Sequence, residues 1–201
     1  AAWMNLVFAA NYLQKPRRDV FELHLAAASR LLKKNATHRF SSHGNKPLVD
    51  RRLRIGFVSG DLRRHSVSYF IEGPVAQLNK ENFETWAYFN YRAEDYRSEE
   101  LKPLFHKWQN IFGQRDIDVA ELIRRDEIDI LVDLSGYTGS NRMEVFAMQP
   151  APIQVSWIGY ANTTGMETIA YRLTDALADP VDDADQFASE SLVRLPAGFL
   201  C

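Results

Sequence analysis

The sequence predicts an α/β domain of Rossmann-like type, a mostly parallel sheet with helices on both faces, preceded by a helical linker. Three observations carry this. From Leu53 onward, short apolar runs are spaced by helical stretches, the signature of parallel strands joined by crossovers that cover both faces. Before them, a helical stretch ends in polar turn-formers, Ser41 to Pro47, which mark a boundary. Hydrophobic residues make up 46% of 201 positions, enough to fill one sizeable core. The expected division is a linker over residues 1–50 and a lobe over residues 51–201.

The elements follow in order. Pro16 can open a helix, and Val20, Phe21, His24, Ala28, Leu31 and Leu32 recur at three- and four-residue steps, so residues 1–34 read as helical and amphipathic. Leu53 to Ser59 is a strand. Ser66 to Leu78 reads as helix, with Gly73-Pro74 expected to bend or break it. Thr85 to Phe89 is a strand. A helix around Glu99 to His106 leads to a short strand near Asn110 to Phe112. Asp116 can cap a helix running to Arg125, and Ile128 to Leu134 is the clearest strand of all. Asn141 to Met148 is a short helix stopped by Pro150-Ala151-Pro152. Ile153 to Ile158, Tyr171 to Thr174 and Leu192 to Leu195 complete the strands.

Composition narrows the function classes. With 24 Lys+Arg against 26 Asp+Glu, the net charge of -2 is too near neutral for bulk binding to nucleic acid or an acidic membrane. No apolar run approaches the roughly 20 residues that span a bilayer. The one cysteine is Cys201, so neither an internal disulfide nor a cysteine-built zinc or redox centre is available. A reducing, cytoplasmic setting is expected, with the nucleus added in a eukaryotic cell. Position 1 is not Met, and the chain stops on Gly198-Phe199-Leu200-Cys201, as expected of a piece of something longer.

In an open parallel sheet, ligands gather beyond the carboxyl ends of the strands. Three loops leave such ends: Gly60 to Tyr69, Ser135 to Asn141 and Gly159 to Gly165. They are rich in glycine, hydroxyl and amide groups, which suits a polyhydroxylated ligand, although βα turns generally share that composition. His65 stands at a predicted helix start beside Arg63 and Arg64, a setting that favours the neutral imidazole able to accept a proton. The plainer alternative is a solvated or capping histidine. Tyr69 lies one turn later on the same helix face. Arg63 and Arg64 read as exposed turn charges, and His24 as a packed or interface histidine. His38, His43 and His106 lack ligand spacing. Asp182, Asp183 and Asp185 read as an acidic surface turn rather than a divalent-metal site. There is no GxGxxG after the first strand and no GxxxxGK[ST], so a conventional dinucleotide or P-loop site is not supported. Trp86, Tyr88, Phe89, Trp108 and Trp157 read as core.

Three stretches, LRIGFVSGDLRRHSVSYFIEGP from Leu53, IDILVDLSGYTGSNRMEVFAMQPAPIQVSWIGYANTTG from Ile128 and YRLTDALADP from Tyr171, together resemble the SPINDLY and O-GlcNAc transferase family. The likeness covers residues 53–201, and the helix from Pro16 resembles the segment joining that family's tetratricopeptide repeats to its catalytic region. It implies the N-terminal, acceptor-side lobe of a GT-B glycosyltransferase, with a C-terminal lobe of the same enzyme as partner. The implied reaction is inverting: a protein Ser/Thr hydroxyl attacks the anomeric carbon of a nucleotide-sugar, UDP-GlcNAc or GDP-fucose, with no metal or other cofactor. By the same resemblance the base falls on His65, with Tyr69 beside it. Gly136, Tyr137 and Thr138, with Asn162, Thr163, Thr164 and Gly165, would line the sugar and acceptor side of the cleft. Many relatives carry His in place of Tyr137 and Pro in place of Ala161. A non-catalytic protein-interaction module and another GT-B sugar-nucleotide enzyme stay open as alternatives.

Overall fold

The apolar runs become strands of one sheet in a computed structural model that describes residues 2–46, 51–181 and 183–200. β1 (Leu53–Ser59), β2 (Phe83–Phe89), β3 (Lys107–Asn110), β4 (Ile130–Asp133), β5 (Ile153–Ser156), β6 (Tyr171–Thr174) and β7 (Ser191–Arg194) lie in the order β3-β2-β1-β4-β5-β6-β7. All the neighbouring pairs are parallel. Successive residues of a strand point to opposite faces, and this chain makes both faces apolar. Val58, Tyr88 and Leu131 enter one buried cluster, whereas Phe57, Ala87, Phe89 and Val132 enter another. A sheet buried on both sides needs helices on both sides. α3 (Ser66–Gln77) and α4 (Tyr96–Leu101) cover one face through Val67, Ile71, Val75 and Leu101. α5 (Asp116–Arg125) and α6 (Met143–Met148) cover the other through Val119, Ile123, Val145 and Phe146.

Some elements differ from the sequence expectation. The N-terminal stretch is two helices, α1 (Ala2–Ala10) and α2 (Arg17–Asn35), rather than one. Pro16 is the N-cap of α2 with φ −53°, so it starts the second helix and cannot continue the first. α3 runs through Gly73 and Pro74 to Gln77, so the helix tolerates the one N–H that Pro74 cannot offer to Phe70. Helix α4 ends at Leu101, and the single turn Lys102–Leu104 contains Pro103. This early stop brings β3 forward to Lys107–Asn110, where Trp108 packs against Phe89 and Phe105. The strand expected at Asn110 to Phe112 therefore begins three residues sooner.

The two N-terminal helices complete one face of the core. Val7, Ala27, Ala28 and Leu31 are buried in the same cluster as Tyr137, Phe146 and Tyr160. They are also fastened by a directed series of hydrogen bonds. The Asn162 amide donates to Asn11 Oδ1 (2.7 Å), and Asn11 Nδ2 donates to the Tyr160 hydroxyl (2.7 Å). His24 Nδ1 lies 2.7 Å from the Val20 carbonyl, which can only accept, so Nδ1 carries the proton. Nε2, 2.7 Å from the Tyr160 oxygen, is then the acceptor of the tyrosine hydroxyl. Burial holds the His24 imidazole below its ordinary pKa, which suits this neutral form. Burial likewise pushes the Tyr160 phenol up.

Strand β4 ends on a carboxylate that shapes its own turn. Asp133 accepts from the backbone N–H of Ser135 (3.1 Å) and of Gly136 (2.7 Å), and it is 1% exposed. Burial pushes its carboxyl up to about 6, against the pull of those two amides.

Two outcomes follow. Tyr160→Phe deletes one hydroxyl and strands the buried His24 Nε2, while the Asn11 amide keeps the Val7 and Phe8 carbonyls; urea titration should show a loss of about 1–3 kcal/mol. Because the folded-state pKa of Asp133 is raised, its contribution is fully present below about pH 4 and is lost as pH rises to about 6. Wild type should therefore lose up to ~3 kcal/mol relative to Asp133→Asn between those limits, read from unfolding curves at a series of pH values.

Candidate functional site

The strand order reverses between β1 and β4: the chain leaves β1 toward β2 on one side and β4 toward β5 on the other. The loops after those strands diverge and leave a crevice at their carboxyl ends. Side-chain-free positions let the loops touch. A Cβ on Gly60 would lie 2.6 Å from Ser140 Cβ and 3.0 Å from the Asn90 carbonyl, where Asn90 Nδ2 also donates to Ser140 O (2.7 Å). A Cβ on Gly159 would fall 1.8 Å from Leu134 O. Gly136, at φ +54°, leaves only 2.2 Å between such an atom and Tyr160 Cβ. No L side chain fits those gaps. The loops 60–65, 134–142 and 157–165 thus form one continuous rim.

His65 stands at the β1 end of this rim as the N-cap of α3. Several bonds set its place. Ser98 Oγ donates to Leu62 O (2.8 Å), and the Arg64 N–H donates to Asp95 Oδ2 (2.8 Å), tying the loop to the start of α4. Ser68 Oγ donates to the His65 carbonyl (2.8 Å). The imidazole caps the helix, with Nδ1 accepting from the Val67 N–H at 3.3 Å. The side chain is 40% exposed, and Nε2 has no hydrogen-bond partner among the described residues. Capping and accessibility therefore coexist in one histidine.

Tyr69 projects from the same helix and is 51% exposed. Its hydroxyl lies 3.3 Å from that of Tyr96, and the Arg97 guanidinium sits 4.5 Å from its ring. Arg97 is fixed in turn by Glu72 (2.6 Å) and Glu100 (3.0 Å). An exposed aromatic pair with a cation behind it thus borders His65.

The residues of the other loops divide into two groups. Thr138 and Asn162 line an open groove of about 530 Å³, bounded also by Gly159, Tyr160 and, from α1 and the turn that follows it, Phe8, Asn11 and Tyr12. Gly136, Tyr137, Thr163, Thr164 and Gly165 do not line it. The Tyr137 ring is buried against His24 and Tyr160, its hydroxyl donates to Thr164 O (2.6 Å), and burial pushes its phenol up. Thr163 Oγ1 donates to Glu190 Oε2 (2.7 Å), and the Thr164 N–H and hydroxyl both bond Glu190 Oε1. Gly165, at φ +71°, lets the loop pass so close to His24 that a Cβ would lie 2.6 Å from its carbonyl oxygen. The side chains of Tyr137, Thr163 and Thr164 therefore brace the groove wall and do not line it.

Sequence reasoning gave no site role to Asp61, Tyr96, Asn11 or Tyr160. Asp61 had a local signal, four residues before His65, and Tyr160 lies in the loop after β5 already singled out; Tyr96 and Asn11 are recruited from other segments and had none. The acidic turn reads as paired surface: Asp183 meets Arg17 (2.5 Å) and Asp185 meets Arg194 (2.5 Å), while Asp182 lies outside the described residues. Among the described residues, no group of three His, Cys, Asp or Glu side chains is placed to hold a metal ion, and no helix is long and apolar enough to cross a membrane.

Comparison with known proteins matches this architecture. Over 205 residues and 100% of its length, the chain is 42% identical to a probable UDP-N-acetylglucosamine–peptide N-acetylglucosaminyltransferase SPINDLY of Oryza sativa subsp. japonica, covering 22% of that protein. It is 38% identical over 148 residues to the similarly described SEC of Arabidopsis thaliana, covering 73% of this chain and 15% of that one. The chain thus spans about a fifth of the length of its fully matched curated relatives. A solved structure of a mutant O-GlcNAc transferase of Thermobaculum terrenum superposes with a TM-score of 0.91 at 36% identity, covering 99% of this chain and 38% of that one. The model of glycosyl transferase family 41 matches residues 20–201, and with a parallel sheet, a glycine-packed rim and relatives of this similarity, the chain belongs to that family.

Proposed function

We propose that this chain is the acceptor-side lobe of an inverting GT-B protein O-glycosyltransferase, which moves GlcNAc or fucose from UDP-GlcNAc or GDP-fucose to Ser/Thr hydroxyls. The observation that carries it is an accessible imidazole, 40% exposed, held by its own backbone at the mouth of the crevice between β1 and β4 in a chain of family 41. Its expected partners are the protein acceptor, the nucleotide-sugar and the C-terminal lobe of the same enzyme, and its expected setting is the cytoplasm. Residues 1–50 serve as the helical linker and residues 51–201 as the catalytic lobe. The donor is a substrate, and no resident metal or cofactor is assigned.

The chemistry needs three things from this lobe. An acceptor hydroxyl is a poor nucleophile until its proton has somewhere to go, and His65 Nε2, exposed at the rim, can take it in the tautomer whose ring proton is on Nδ1. The acceptor chain must be held still, which is worth more than any single contact because it removes the entropy of encounter. The groove beside Thr138 and Asn162 supplies amide, hydroxyl and aromatic surface for that, with Tyr69 on the other side of His65. As the hydroxyl oxygen bonds the anomeric carbon from the face opposite the phosphate, the glycosidic C–O bond breaks. The nucleoside diphosphate leaves with the electron pair and the anomeric configuration inverts.

His65→Asn keeps a good helix cap while removing the base. In the full-length protein it should lower kcat by about 10²–10⁴-fold with little change in melting temperature. Initial rates with radiolabelled UDP-GlcNAc and GDP-fucose, run side by side on a protein acceptor, read both the loss and the donor. Wild-type turnover in the variant would remove His65 from the mechanism.

A further inference from the structure

The nearest acid to His65 is Asp61, and its surroundings give it few other duties. It is 8% exposed, and its backbone N–H is fixed on Ser59 Oγ (2.9 Å). Oδ1 stands 3.5 Å from Arg63 Nη2, a long contact for an ion pair. That guanidinium is also engaged elsewhere: its Nε donates to Gly60 O (3.2 Å), and its carbon sits 4.1 Å from the centre of the Tyr91 ring. Oδ2 is left facing His65 Nδ1 at 3.9 Å. Burial raises the Asp61 carboxyl, and the nearby His65 and Arg63 oppose that rise.

The imidazole ring has two nitrogens but one lone pair to offer while neutral. With Nδ1 accepting from the Val67 N–H (3.3 Å), the proton sits on Nε2, and that tautomer cannot take a proton at the exposed nitrogen. With the proton on Nδ1, the lone pair is on Nε2. The second arrangement needs an acceptor for Nδ1–H, and the only carboxylate within 4.0 Å among the described residues is Asp61. A small swing of the ring would close 3.9 Å to the ~2.8 Å of a charge-assisted bond. The bond released is a long one, 3.3 Å, to a first-turn amide.

We propose that Asp61 is a positioning residue: it selects the Nδ1–H tautomer of His65 and so leaves Nε2 free to take the acceptor proton. This rests on His65 being the base. The proton passes from the hydroxyl oxygen to Nε2 while that oxygen bonds the anomeric carbon, and the diphosphate leaves with the electron pair of the broken bond. The resulting imidazolium directs Nδ1–H at Asp61, which stays ionised and takes no proton itself.

The test uses the full-length protein with two substitutions, Asp61→Asn and Asp61→Glu. Asp61→Asn should lower kcat by about 10²-fold, the scale of losing correct general-base catalysis, with KM for the nucleotide-sugar within about twofold of wild type. Asp61→Glu should recover part of that loss. Independently of turnover, carbethoxylation of His65 by diethyl pyrocarbonate, followed by peptide mass spectrometry, should slow several-fold in Asp61→Asn, because the reagent attacks the unprotonated exposed nitrogen. Equal modification rates in wild type and Asp61→Asn would overturn the proposal. So would an Asp61→Asn kcat within threefold of wild type beside a crippled His65→Asn. Full turnover in His65→Asn would instead defeat the base assignment, and the modification rates would still decide whether Asp61 controls the ring.

Discussion

The hydrogen bond between the Tyr160 hydroxyl and His24 Nε2 is the contact on which most of the rim depends. It joins a helix from the N-terminal region to the loop after β5, 136 positions apart in the chain. Tyr160 also covers Gly136, whose left-handed backbone turns the chain away from the end of β4. If the tyrosine moves, the turn beneath it loses its lid. The bond is strong here because it is dry and because each partner has one remaining role: His24 donates to Val20 and accepts from Tyr160, and Tyr160 accepts from Asn11. A fully satisfied buried network of this kind specifies one arrangement, whereas a partly satisfied one would cost more than an apolar replacement.

A second constraint is the contrast between the two sides of the crevice. On the β4 and β5 side, hydroxyls and amides are spent on internal bonds: Thr163 and Thr164 on Glu190, Tyr137 on a backbone carbonyl, and Asp133 on its own turn. On the β1 side, His65 and Tyr69 keep their polar tips at the surface. The crevice thus sets a braced wall against an edge whose side chains reach solvent.

Much of this could be read in the chain before any coordinates. Ile128 to Leu134 and Leu53 to Ser59 are visible because a parallel strand covered on both sides leaves a short, mostly apolar run rich in β-branched residues and bounded by turn-formers. The three loops were visible because they follow those strands. The direction in which a loop side chain points was not. Tyr137 turns inward to meet His24 from the other end of the sequence, and Thr163 turns inward to meet Glu190, 27 positions on. No local pattern encodes a partner at such distance. The β3 boundary was displaced for a related reason: the strand edge is set by Trp108 packing on Phe89 and Phe105, and hydropathy alone does not register ring packing.

The groove beside Thr138 has one wall from the sheet's loops and the other from Phe8, Asn11 and Tyr12. It is therefore an assembly of the helices with the lobe, and the sheet by itself does not contain it. A recombinant fragment trimmed to begin at Leu53 would keep all the described strands yet forfeit half the groove. It would also bare the rings of Tyr137 and Tyr160, leaving a sticky apolar surface where the groove had been.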